Sequence, residues 1–164
     1  MPPPLPRVSA GFNLCQDQED APGAAPRRAV QVELFLDLVC PFSSTMWQAV
    51  RTMQRKGLPH VVSNVSFIVH QVPQPWHPQG AWVHEAALAV RATTPAAYPQ
   101  FLDEVYAAYD GGAFKDDSTW NKTRPEVYSE LLTLAVAAGA NRDAAAALLQ
   151  RTEGNHGTFV AQDL

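Results

Sequence analysis

The stretch Val30–Ser44 reads V-Q-V-E-L-F-L-D-L-V-C-P-F-S-S, and its two parts obey different periods. In an extended chain Val30, Val32, Leu34, Leu36 and Leu38 share one face, while Phe35 and Val39 add apolar weight to the other. Near-continuous apolarity of this kind predicts a strand covered on both faces, in a sheet flanked by helices. After Pro41 the apolar residues Phe42, Met46, Ala49, Val50 and Met53 recur at helical spacing, and Lys56-Gly57 supplies a basic last turn and a stop. Pro41 falls in the first helical turn, where its missing N–H would have had no partner anyway.

Working outward, Val61–Val72 forms a second strand candidate with Val65, Phe67 and Val69 on one face. Strand, helix and strand make a βαβ unit, whose crossover is right-handed if the strands are parallel. The rest of the chain reads as helices over residues 79–91 and 96–109, over 123–139 with Pro125 near its first turn, and over 142–153 behind an Asn141 cap. The first 29 residues have no sustained period and read as an extended arm. Thr158–Ala161 leaves room for one short strand.

Chemistry concentrates at the junction. A thiol at a helix N-terminus faces unpaired N–H groups and the positive end of the helix dipole, both of which favour thiolate. Thiolate is the nucleophile of disulfide exchange and of attack on electrophilic carbon. Cys40 stands at that position; the bland alternative is a small hydrophobe that fills a gap. Cys15 and Cys40 are too few for a disulfide framework. Cys15 reads as an exposed unpaired thiol, unless the arm swings it over Cys40 as a resolving partner.

The run F-L-D-L-V-C-P-F-S-S, Phe35–Ser44, resembles the active-site segment of the DsbA-like branch of the thioredoxin superfamily. The helix carrying Trp47 and the stretch V-P-Q-P-W-H-P-Q-G-A-W-V-H-E-A, Val72–Ala86, are similar too. The resemblance spans approximately residues 28–160 and implies an α/β, thioredoxin-like fold with an inserted helical domain. Residues 1–29 would then be the arm, 30–78 the βαβ half, 79–153 the helical insertion, and 154–164 the start of an incomplete C-terminal ββα half. No proline follows Pro125 to supply the cis-proline loop that such folds set beside the cysteine.

What the resemblance implies is a thiol–disulfide or glutathione-linked activity with Cys40 attacking. The usual second cysteine of C-x-x-C is Ser43, and a serine cannot resolve a mixed disulfide. A monothiol cycle resolved by glutathione remains, with Ser43 as hydroxyl donor to the Cys40 thiolate or to a glutathione sulfur, as in the kappa-class glutathione transferases. The resemblance further implies substrate contacts from Pro41, Phe42, Trp47 and His77. The expected substrate is a small thiol or a disulfide-bearing molecule, with glutathione as co-substrate and no bound cofactor. A related variant transfers glutathione to a small electrophile. From a different class comes a catalytically silent binding or scaffold module on the same fold.

Nearby groups read less sharply. Asp37 could tune Cys40 or relay a proton; equally it is a solvated strand-end carboxylate whose charge opposes thiolate. His77 and His84 could line the cleft, and the plainer reading leaves them half-buried at the surface. There is neither a second C-x-x-C cysteine nor an H-E-x-x-H, so no metal site is expected.

Composition narrows the classes further. The 164 residues, 46% of them hydrophobic and 17% charged, suit one globular domain. Twelve Lys and Arg against 16 Asp and Glu give a net charge of -4, so neither nucleic acid nor an anionic membrane is an expected partner. The longest apolar run, Val30–Phe42, is broken by Gln31, Glu33 and Asp37, short of the about 20 residues that a span needs. The first 29 residues lack the apolar stretch of a secretory signal, and Asp17, Glu19 and Asp20 do not fit a transit peptide. The expectation is a cytoplasmic protein.

Overall fold

The computed structural model describes residues 11–14, 30–56, 65–153 and 157–161. Cys15, the helix stops expected at Gly57 and Gly154, and the first residues of the second strand candidate lie outside them.

Among the described residues the sheet has three strands, β1 (Phe12–Asn13), β2 (Val30–Leu36) and β3 (Val65–Gln71), in the order β1-β3-β2. β2 and β3 run parallel in a register that sets Leu34 beside Val69 and Val32 beside Phe67. Helix α1 (Pro41–Arg55) connects them, which is the expected βαβ unit. Leu34, Leu36, Phe67 and Val69 belong to one core cluster with Trp47 and Val50 of α1. Among the described residues nothing covers the opposite face of β2. Phe35 is 63% exposed and stacks on His70 at 4.7 Å, and Gln31 and Glu33 are exposed too. The expectation of a strand covered on both faces is corrected here; Phe35 rests on a ring of the neighbouring strand instead of a helix.

β1 is a second difference, because the sequence gives residues 1–29 no regular element. Phe12 pairs antiparallel with Val69, and its ring lies 4.7 Å from that of Tyr98. Two residues carry no period; the pairing and the ring contact hold them, and both are tertiary.

The helical block contains α2 (Gly80–Thr93), α3 (Tyr98–Asp110) behind a short 3-10 turn at Pro95–Ala97, α4 (Asp116–Thr119), α5 (Arg124–Ala137) and α6 (Arg142–Leu148). α2 is its axis. Val83 to Val90 are all buried, because α3, α5 and α6 surround it, and its alanines let those helices approach closely. α5 starts on a capping box, in which the Glu126 carboxylate accepts from the Thr123 amide at 2.7 Å; such caps contribute about 1 kcal/mol. Asn141 caps α6 as expected, its Oδ1 accepting from the Ala144 amide at 3.0 Å.

α6 ends at Leu148, short of the expected 153. The chain turns back instead: the Phe159 amide donates to the Leu148 carbonyl, and the Thr158 hydroxyl reaches the buried carboxylate of Glu85 at 2.9 Å. The strand expected at Thr158–Ala161 is only a single bridge between Thr158 and Arg151. α4 has no counterpart in the sequence reading. No helix among the described residues is long and apolar enough to cross a membrane.

Candidate active site at the start of helix α1

β2 ends at Leu36, and Asp37 to Cys40 make a tight turn closed by the Cys40 amide donating to the Asp37 carbonyl at 3.3 Å. Cys40 is the N-cap of α1, extended at φ -115° and ψ 127°, and its side chain caps no amide. Its thiol is free and the residue is 7% exposed. Pro41 has no N–H, and the Ser44 amide is bonded to the Cys40 carbonyl, so the Phe42 and Ser43 amides are the donors of the first turn without a partner within the helix.

Asp37 departs most from the sequence reading. It is buried, not solvated, and nearly every polar atom it has is engaged. Its Oδ2 lies 2.7 Å from His77 Nδ1 and accepts from the Gln74 amide; its Oδ1 accepts from the Val39 amide and lies 3.1 Å from His84 Nε2. Its own amide donates to Ser43 Oγ at 3.1 Å, and its carbonyl accepts from the Tyr106 hydroxyl at 3.3 Å. Burial works to raise the Asp37 carboxyl, but the hydrogen bonds from His84, His77 and the Val39 amide outweigh it and hold the pKa below the ordinary range. The group is an anion held by donors.

His84 is also corrected. It is completely buried rather than half-buried, and burial pushes its pKa below the usual imidazole value against the pull of Asp37. Its Nδ1 lies 2.9 Å from Gln71 Oε1, and the Gln71 amide donates to the Tyr98 hydroxyl at 3.0 Å. Burial pushes Tyr98 up to about 12 and Tyr106 well above its usual range, so both remain phenols at neutral pH, Tyr98 accepting from Gln71 and Tyr106 donating to the Asp37 carbonyl.

The fold thus brings Ser43 and His77 together on Asp37, three residues before Cys40. Ser43 Oγ uses a lone pair for the Asp37 amide and retains its proton for another acceptor. Pro41 and Phe42 lie exposed beside the cysteine, Phe42 at 82%. Trp47 does not join them. It is 1% exposed, and its indole donates to Asp103 of α3 at 2.8 Å, so it joins two helices where a substrate contact was expected. Sequence reasoning missed Gln71, Tyr98 and Tyr106; they lie 13 to 69 positions from the atoms they bond, and no local pattern marks them. Among the described residues no group of three or more His, Cys, Asp or Glu is arranged to hold a metal ion.

This arrangement has the thioredoxin-like fold with a helical insertion. A crystal structure from Pseudomonas syringae, of a protein provisionally assigned as a protein-disulfide isomerase, superposes with a TM-score of 0.56 over 72% of this chain and 70% of that one, at 16% sequence identity. No protein-family model matches the chain, and no curated protein matches it.

Proposed function

We propose that this chain is a thiol–disulfide oxidoreductase of the monothiol type, with Cys40 as nucleophile and glutathione as co-substrate. The observation that carries the reading is the place of Cys40: the last residue before α1, free, and followed by exposed Pro41 and Phe42. The structural likeness to a protein assigned as a disulfide isomerase supports the same class of chemistry.

In this cycle the Cys40 thiolate attacks the glutathionyl sulfur of a mixed disulfide. The Cys40–glutathione bond forms, the substrate's S–S bond breaks, and the substrate leaves as a thiolate that takes a proton. A second glutathione thiolate then attacks the mixed disulfide on Cys40, releasing oxidised glutathione and restoring the Cys40 thiolate. The electrons come from glutathione, so no second protein cysteine is needed. Ser43 donates its free proton to the sulfur that carries charge, and the α1 amides share that task. Phe42, Pro41 and His77 contact the substrate. A cycle run by reduced glutathione fits the cytoplasm.

The test is release of glutathione from a glutathionylated peptide, coupled to consumption of reduced glutathione. We expect turnover by the wild type, none by Cys40→Ser, and a loss of about tenfold or more in Ser43→Ala. Turnover that survives Cys40→Ser refutes the proposal, and a wild type without turnover leaves the fold as a binding module.

A further inference from the structure

Beside the cysteine site, a cleft of about 300 Å³ opens between the loop before α2 and the start of α4. Its walls include three of the four tryptophans, Trp76, Trp82 and Trp120, together with Gln79, Asp116 and Lys122. It adjoins the site through Trp76, whose ring meets that of His77 edge-on at 6.1 Å, and His77 holds Asp37. Trp76 and Trp120 are largely exposed although both are large apolar rings.

Gln79, which lines the cleft, carries a second observation. It is 2% exposed, and its amide nitrogen donates to the Phe114 carbonyl at 2.8 Å and to Asp116 Oδ1 at 2.9 Å. Both of those partners are acceptors, which fixes the orientation of the amide. Gln79 Oε1 is then left buried without a donor, a condition that costs free energy unless something satisfies it.

We propose that this cleft binds a small organic cation. Several of its walls are electron-rich: the exposed rings of Trp76 and Trp120, the carboxylate of Asp116 and the unpaired carbonyl of Gln79. Lys122, the cation among the named walls, is neutralised by Glu130, with Nζ 2.6 and 2.8 Å from the two carboxylate oxygens. A neutral polar ligand would satisfy the carbonyl but would leave the exposed Trp76 and Trp120 rings and the carboxylate without a positive partner. A substituted ammonium group that carries a hydroxyl answers all three, its charge meeting the rings and the carboxylate and its hydroxyl donating to the carbonyl. Trp82 already serves this chemistry inside the chain, since the Arg124 guanidinium lies 5.6 Å from its ring centroid. The volume sits at the small end for a ligand site.

Choline and its uncharged isostere 3,3-dimethyl-1-butanol, titrated calorimetrically and by tryptophan fluorescence, distinguish charge from shape. We expect choline to bind about tenfold or more tightly than the isostere. Trp120→Ala removes an exposed ring. Asp116→Asn removes the charge while keeping an oxygen for the Gln79 amide, so both variants stay folded, and each weakens choline about fivefold. Cys40→Ser leaves binding unchanged, because the site does not depend on the redox reading. Equal affinity for the two probes, no binding of choline, or no loss in both wall variants overturns the proposal.

Discussion

His84 Nε2 stands 3.1 Å from Asp37 Oδ1 and 3.2 Å from the Leu38 amide nitrogen, and neither side chain is more than 1% exposed. One ring nitrogen therefore faces an acceptor and a donor together. With a proton it serves the carboxylate; without one it accepts from the amide. The proton decides which bond exists, three residues from Cys40.

Stability should fall on acidification in two steps, both of one sign. The folded pKa of His84 is lowered, so below about 6.5 the unfolded chain binds a proton that the folded chain refuses. The stability from this group is complete above that value and declines as pH falls, by up to about 1.4 kcal/mol per unit. The Asp37 carboxyl is also lowered; its share is present above about 3.9 and is lost as pH falls through the folded value. Urea midpoints between pH 8 and 3 measure both steps, and in His84→Gln the first should disappear while the second shrinks, because the His84 bond is the largest of those that lower Asp37.

Ser43→Ala removes the acceptor of the buried Asp37 amide. A buried donor left unpaired costs about 1–3 kcal/mol, so this variant should unfold at lower urea with an unchanged slope. Equal midpoints for the variant and the wild type would show that the Oγ bond is not formed in solution.

Asp103 joins α1 to α3. It accepts from the Trp47 indole at 2.8 Å and from the Arg51 guanidinium at 3.0 and 2.8 Å, all partly buried. Asp103→Ala should cost about 2–3 kcal/mol in urea unfolding. Arg55→Ala should cost less than about 0.5 kcal/mol, because that guanidinium is exposed and reaches Asp103 only at 3.9 Å.

Phe42, the second residue after the cysteine, is 82% exposed. Phe42→Ala should leave stability within about 0.5 kcal/mol while raising the KM for a glutathionylated peptide. A fall in kcat with unchanged KM would instead place Phe42 in the chemical step.

The junction from β2 to α1 was legible because its signals are local: an apolar run, a proline one residue past the cysteine, and then apolar residues at steps of three and four. The starts of α5 and α6 were legible for the same reason, since Thr123 and Asn141 cap chains only three residues ahead. What escaped depends on distance. Whether Asp37 is solvated or buried turns on His77, His84 and Tyr106, which are 40 to 69 positions away. The early end of α6 turns on Thr158 finding Glu85, 73 positions back. The resemblance implies a substrate contact for Trp47, and only the partner helix shows that its indole donates to Asp103.

The central claim is tested most directly by the intact mass of the protein after brief exposure to oxidised glutathione, in a Cys15→Ser background that leaves Cys40 as its one thiol. The account predicts a gain of one glutathionyl group on Cys40, reversed by reduced glutathione. Adding Ser43→Cys should replace that adduct with the loss of two hydrogens, as an internal disulfide forms. A folded protein whose mass does not change would contradict the account.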